Sequence, residues 1–178
     1  RWGVPQPRRT VVGVASSTGG PTALMEIFGR LPKGIPTAVL IAQHMPDKFT
    51  RTFAERLDKR SAFRVSEAQD MDEVGSSTAF VCPGRKCMFV DTPPSGSLRV
   101  RVRNPMESDR YVPSADKLFE SVARTVGSRA VGVILTGMGD DGVQGAKAIL
   151  ECGRVVIVEG EETADVYGMP AAVVGPGV

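Results

Sequence analysis

The sequence predicts an α/β fold: a doubly wound, mostly parallel β-sheet with helices on both faces and an additional antiparallel β-hairpin. Three observations point there. Short β-branched runs, apolar almost throughout, alternate with segments of helical spacing, the pattern of strands buried on both faces and joined by helical crossovers. Glycine-rich turns divide several of these runs from the helices that follow them. The middle of the chain breaks the rhythm with short strands split by Pro and Gly, as a hairpin would.

In chain order, residues 11–16 (VVGVAS) form the first buried strand, broken by Ser17-Thr18-Gly19-Gly20. Pro21 suits the first turn of a helix, where its missing N–H is no loss. Leu24, Phe28 and Leu31 follow at helical spacing until Pro32 and Gly34 stop the helix. Residues 37–42 (TAVLIA) repeat the unit and end at Gln43-His44-Met45-Pro46, after which Phe49, Phe53 and Leu57 mark a helix face ending near Arg60. A short strand covers 64–67. Further strands follow at 78–81, 86–91 and 98–103, divided by Pro83-Gly84 and Pro93-Pro94-Ser95-Gly96, and the last two read as a hairpin off the main sheet. From Pro113 a helix carries Leu118, Val122 and Val126 in register. Residues 130–135 are another buried strand, broken by the turn 136–142 (TGMGDDG). A helix bearing Val143, Ala146 and Leu150 is capped by Gly153, and 155–158 is the last clear strand. Right-handed crossovers would set every strand's C-terminal end on one edge, where ligands of such folds sit. Three polar turns fall on that edge: 17–20, 43–44 and 136–142.

The 178 residues suit one domain. Residues 1–10, which include Pro5, Pro7, Arg8 and Arg9, read as a linker remnant and 11–178 as the folded domain, a fragment of a longer protein. With 22 Lys and Arg against 20 Asp and Glu, the net charge of +2 is too mild for a nucleic-acid binder. No apolar run approaches the roughly 20 residues of a membrane span, so direct membrane insertion is not expected. Cys82, Cys87 and Cys152 are an odd set without a C-x-x-C pair. That favours a reducing, cytoplasmic home over a disulfide framework. With a single His, it also argues against a structural zinc site; no cofactor is expected.

Each polar turn admits several readings. Glycines leading into a helix can cradle an anion, but 13–20 matches neither the P-loop nor the dinucleotide fingerprint. Alternatively Ser17, at a strand-to-helix corner, exposes its Oγ beside helix N–H groups, as a nucleophile would. Gly19 stands two after it, but Ala15 rather than Gly stands two before. Or Ser17 or Thr18 merely caps the helix. His44, the only His, is either a structural hydrogen-bonder or the sole source of imidazole chemistry. Asp140 and Asp141 can cap the next helix, hold Mg²⁺, or supply a carboxylate that orients an imidazole. The order Ser–His–Asp along the chain argues against the usual α/β-hydrolase fold. Arg99, Arg101 and Arg103 alternate with Val100 and Val102. They read as an edge strand guarded by charge, or as a docking surface for acidic helices.

Ala15-Ser16-Ser17-Thr18-Gly19-Gly20, Gln43-His44-Met45-Pro46, Ser114-Ala115-Asp116-Lys117-Leu118-Phe119 and Leu135-Thr136-Gly137-Met138-Gly139-Asp140-Asp141-Gly142 resemble the catalytic domain of the chemotaxis protein-glutamate methylesterases. Phe49-Thr50-Arg51, Phe53-Ala54-Glu55-Arg56-Leu57 and Tyr167-Gly168-Met169-Pro170 are similar too. The resemblance covers residues 11–175 and implies that 11–178 is a methylesterase catalytic domain. It implies Ser17 rather than Ser16 as nucleophile, His44 as base and Asp141 as orienting acid. Thr18 and Met138 would be neighbours that position the group or bind the oxyanion through backbone N–H. Asp140 stands where the family often has Asn. The implied activity is hydrolysis of glutamyl methyl esters on the helical cytoplasmic bundle of a chemoreceptor, releasing methanol, with deamidation of receptor glutamines by the same acyl-enzyme. An N-terminal receiver domain is the other implied partner. The alternative is a non-catalytic receptor-binding or signalling module of the same fold.

Overall fold

The computed structural model describes residues 9–94 and 96–175. In chain order it contains β1 (Thr10–Ser16), α1 (Gly20–Phe28), β2 (Thr37–Gln43), α2 (Asp47–Arg60), β3 (Arg64–Glu67), β4 (Thr78–Val81), β5 (Cys87–Asp91), β6 (Arg99–Arg103), α3 (Ala115–Val126), β7 (Ala130–Ile134), α4 (Val143–Glu151), β8 (Val155–Val158) and α5 (Gly168–Val174). Most of the segment expected as a linker, 1–8, lies outside the described residues, as does Ser95 of the hairpin turn. Residues 9 and 10 take part in the fold: Thr10 opens β1, and the Arg9 guanidinium donates to Val74 O at 2.9 Å.

Six strands form one parallel sheet in the order β3-β4-β2-β1-β7-β8. β5 and β6 pair antiparallel in a separate hairpin, as their spacing predicts. Helices cover both faces of the sheet. On one side Leu24 and Phe28 of α1 and Phe53 and Leu57 of α2 pack on Val14, Val39 and Ile41. On the other, α3, α4 and α5 bury Leu118, Phe119, Val122, Ile149, Met169 and Val173 against Val11, Leu40 and Ile134. The hairpin belongs to this second layer. Val90 N–H donates to Ser121 Oγ at 3.0 Å, and Thr125 Oγ1 donates to Val90 O at 2.9 Å, so hydroxyls of α3 satisfy an edge of β5.

β6 is not the free edge expected from its alternating arginines. Met71 N–H donates to Val100 O and Val100 N–H to Asp72 O, so the 70–74 segment pairs along it. Arg101 meets Asp70 at 3.0 Å and Asp91 at 3.4 Å, and Arg99 approaches Glu73 at 3.7 Å. Two of the three guanidinium groups are therefore engaged within the chain, which leaves less charge for acidic helices than the sequence alone suggests. The unforeseen element is α5. It opens on Gly168 with Pro170 in its first turn, a composition that reads as a turn. Burial of Met169 and Val173 against the second layer supplies what local propensity lacks.

Close packing in that layer depends on two glycines in register, Gly13 of β1 and Gly132 of β7. A Cβ on Gly13 would lie 2.8 Å from Phe119 Cδ1, and one on Gly132 would lie 3.2 Å from Phe119 Cε2. The ring rests on bare backbone, which brings α3 down onto the sheet and fixes the height of its N-terminus at the site rim. Phe119→Ala should lower unfolding free energy by about 3–5 kcal/mol in urea denaturation. A loss below about 1 kcal/mol, the cost of one removed methylene, would show that this seat does not carry the packing.

Candidate active site

β1 has β2 on one side and β7 on the other. The chain leaving β1 enters α1 on one face, whereas the chain leaving β7 enters α4 on the opposite face. This reversal opens a crevice beyond the strand ends, the usual ligand position in an open α/β sheet. Ser17 follows β1, His44 follows β2, and residues 136–142 follow β7, so the three polar turns meet there as their sequence positions predict.

The strand ends are tied together by backbone and by one buried side chain. His44 N–H donates to Ser16 O at 3.0 Å, and Ser17 N–H donates to Thr136 O at 3.0 Å. Gln43 is 1% exposed. Its Nε2 donates to Ser17 O at 2.8 Å and to His44 O at 3.1 Å, and its Oε1 accepts from Ser16 Oγ. One amide thus bridges the main chains of two candidate residues, and Ser16 faces inward as its structural partner. Ser17 is half-buried and its Oγ has no such engagement among the described residues. The crevice is crowded here: a Cβ on Gly137 would lie 2.7 Å from Ser17 Cβ.

His44 Nε2 lies 2.7 Å from Asp141 Oδ2. A carboxylate only accepts, so Nε2 carries the hydrogen and Nδ1 is the nitrogen left to take a proton. The two ring nitrogens exchange the roles they have in the chymotrypsin arrangement. Among the described residues no hydrogen bond joins Ser17 Oγ to the imidazole; such bonds commonly close only around substrate.

The capping expected of these turns is reassigned. Gly19, at φ +84°, is the N-cap of α1 and no side chain bonds the helix start, so neither Ser17 nor Thr18 is a cap. Asp141 precedes α4 but serves α3: its two oxygens accept from Ala115 N at 2.8 Å and Asp116 N at 3.0 Å. Asp116 returns the arrangement, accepting from Gly142 N at 3.0 Å and Gly145 N at 2.9 Å at the start of α4. Each carboxylate sits where a helix dipole favours negative charge. Asp141 is fully buried, and these donors with His44 are what make its burial tolerable. Burial pushes the Asp116 carboxyl above its usual value, against the pull of the Gly145 N–H; the charge of Asp141 adds to the push.

Thr18 is exposed and Met138 is 68% exposed. Among the described residues the N–H groups of both donate to no protein acceptor. Thr136 Oγ1 donates to Thr18 O at 2.9 Å and accepts from Val166 N at 2.9 Å, and Thr136 N–H donates to Glu159 Oε2 at 2.7 Å. The phosphate reading of the first turn weakens, because Asp165 lies against it: a Cβ on Gly19 would sit 2.6 Å from Asp165 Oδ2. The sequence assigns no role to Gln43, Asp116 or Thr136; the signal for Gln43 and Thr136 is that each opens a polar turn where an apolar strand ends.

Asp140 points elsewhere, to Tyr111 Oη at 2.8 Å and Arg110 at 3.6 Å. The ring of Tyr111 stacks on that of His44, with centroids 5.2 Å apart and 4° between planes. Cys82, Cys87 and Cys152 are free, and burial pushes the thiols of Cys82 and Cys87 up, away from reactivity. Among the described residues no trio of His, Cys, Asp or Glu side chains converges to hold a metal ion. No helix there is long and apolar enough to cross a membrane.

A carboxyl raised on folding binds more protons folded than unfolded, so its contribution to stability falls as pH rises from its unfolded value, 3.8, through the raised one. Asp116→Asn keeps an oxygen acceptor for Gly142 and Gly145 while removing the titration. The stability of the wild type relative to this variant should therefore decline in denaturant melts as pH rises above the unfolded value of 3.8. A difference constant with pH would contradict the burial effect.

Comparison with known proteins adds to this geometry. The model of the family described as CheB methylesterase matches residues 12–178. A protein-glutamate methylesterase/protein-glutamine glutaminase of Geobacter sulfurreducens is 45% identical over 174 residues, covering 98% of this chain and 47% of the relative. One from Anaeromyxobacter dehalogenans is 46% identical over 170 residues, covering 94% of this chain and 48% of the relative. The chain spans about half the length of these curated relatives. The crystal structure of the Thermotoga maritima CheB methylesterase catalytic domain superposes with a TM-score of 0.90 at 36% identity, covering 95% of this chain and 89% of that one.

Proposed function

The chain belongs to the CheB methylesterase family, and we propose that it is a serine hydrolase that removes methyl esters from glutamyl side chains of chemoreceptors and deamidates particular receptor glutamines. The observation that carries this reading is the 2.7 Å contact between His44 Nε2 and the buried Asp141 carboxylate, on the rim that also bears Ser17.

In the proposed reaction Ser17 Oγ attacks the ester carbonyl carbon while His44 Nδ1 takes its proton. Asp141 holds the ring and supports the imidazolium. The N–H groups of Thr18 and Met138 donate to the oxyanion of the tetrahedral intermediate, where a single donor is typically worth about 10²–10³ in rate. Collapse expels methoxide, which leaves as methanol with the proton from His44. Water, deprotonated by the same Nδ1, then attacks the acyl-enzyme, and Ser17 departs with the proton returned. The product is a glutamate carboxylate. With a glutamine substrate the leaving group is ammonia and the acyl-enzyme is the same.

The partners in this reading are the methylated helical bundle of a chemoreceptor and an N-terminal receiver domain, in keeping with relatives about twice as long as this chain. A cytoplasmic setting is part of the proposal and is supported by the three free thiols.

Methanol release from a methylated receptor fragment tests the reading. Ser17→Ala should reduce the rate by roughly 10⁴–10⁶. A serine-directed fluorophosphonate should label Ser17 in the wild type and in Ser16→Ala, because Ser16 is occupied with Gln43. Full activity in Ser17→Ala, or no labelling of Ser17, would point to the non-catalytic module of the same fold.

A further inference from the structure

We infer that Tyr111 is a positioning residue for the proposed base: its ring, stacked on His44 and latched to Asp140, sets the plane of the imidazole and with it the direction of Nδ1. The inference rests on the triad reading and extends it to a residue 67 positions from His44.

The Asp141 contact leaves one rotation of the imidazole undetermined. The χ2 torsion of His has broad wells. Rotation about the Cβ–Cγ bond swings Nδ1 through a wider arc than Nε2, because Nε2 lies nearer that axis. A single hydrogen bond at Nε2 therefore anchors one end of the ring and leaves the proton-accepting end free to tilt. A flat surface lying on the ring removes that freedom. Tyr111 supplies it, at 4° from parallel and 5.2 Å between centroids.

The Tyr111 ring is itself held. Its Oη donates to Asp140 Oδ1 at 2.8 Å and accepts from Asp140 N–H at 3.3 Å, so one residue engages both functions of the hydroxyl. The Arg110 guanidinium carbon lies 5.4 Å from the centroid of the same ring, and Arg110 Nη2 lies 3.6 Å from Asp140 Oδ1. The fit extends to Gly139, at φ +100°, where a Cβ would lie 2.6 Å from Tyr111 Oη. Asp140 and Asp141 are adjacent, so the segment that holds Nε2 through Asp141 also holds the stacking ring through Asp140. Misplacement of a reacting group by about 1 Å can cost about a hundredfold in rate.

The experiment compares Tyr111→Phe, which keeps the flat ring, with Tyr111→Leu, which removes it. Both are assayed for methanol release from the receptor fragment, with rates normalised to the folded fraction from circular dichroism. Tyr111→Leu should lose about tenfold to a hundredfold in kcat with KM unchanged, and Tyr111→Phe should keep most of kcat. His44 is the only histidine, so its Cδ2–H and Cε1–H resonances are identified without assignment. They should be displaced by the ring current of residue 111 in the wild type and in Tyr111→Phe, and return toward free-imidazole positions in Tyr111→Leu. Wild-type kcat in folded Tyr111→Leu, equal losses in both variants, or undisplaced imidazole signals in the wild type would each overturn the inference. If Ser17→Ala is inactive and Ser17 is labelled, such a result removes only the role of Tyr111. If Ser17→Ala retains full activity, the triad reading itself has failed.

Discussion

A single buried carboxylate organises this molecule's rim. Asp141 has no access to solvent, and its oxygens are met by the His44 imidazole and by two backbone N–H groups at the start of α3. A buried charge is tolerated only when such partners replace water. Those partners come from the end of β2 and the entrance of α3, while Asp141 itself follows β7. The requirement to satisfy one acid therefore joins three parts of the fold that are remote in sequence. It does so where the strand order reverses, so the junction is also the crevice.

The two aspartates at this junction exchange helices. Asp141 caps α3 from the turn before α4, and Asp116 caps α4 from the first turn of α3. The exchange locks α3 and α4 side by side at their N-termini, and the Phe119 ring, seated on Gly13 and Gly132, holds α3 against the sheet one turn further on. The packing of the second layer and the geometry of the rim are thus one construction. The height of the Phe119 seat determines where the N–H groups of Ala115 and Asp116 can meet Asp141, and Asp141 determines where Nε2 of His44 comes to rest.

The other side of the rim is built from backbone and one amide. Gln43 reaches the carbonyls of Ser17 and His44, and Ser16 completes its polar needs. Two neighbouring serines consequently have opposite fates. Ser16 closes β1 with its side chain buried, and Ser17, one residue on, begins the turn and stands in the crevice. Ser16 is the last residue of the strand and its hydroxyl is committed to Gln43, whereas Ser17 lies past the strand end, where its side chain is free of that partner.

The parallel sheet, its helical crossovers and the separate hairpin were legible in the sequence, because buried strands and amphipathic helices leave periodic patterns in the chain itself. The turns carrying Ser17, His44 and Asp141 were legible for the same reason: each lies where a pattern breaks at a strand end. Other features were not. α5 has a Gly and a Pro at its start and owes its existence to burial of Met169 and Val173. The arginines of β6 look unpaired along the chain, yet Asp70, Asp91 and Glu73 meet them in space. Asp141 looks like a cap for the next helix and serves another. Tyr111 shows no local sign of touching His44, nor Gln43 of reaching Ser17. Periodicity is a property of neighbours along the chain, so the sequence by itself determined the layers and the edge where chemistry would lie. Partnership between side chains is a property of distance in space, so only the tertiary structure decided which helix Asp141 caps and which ring lies against the imidazole.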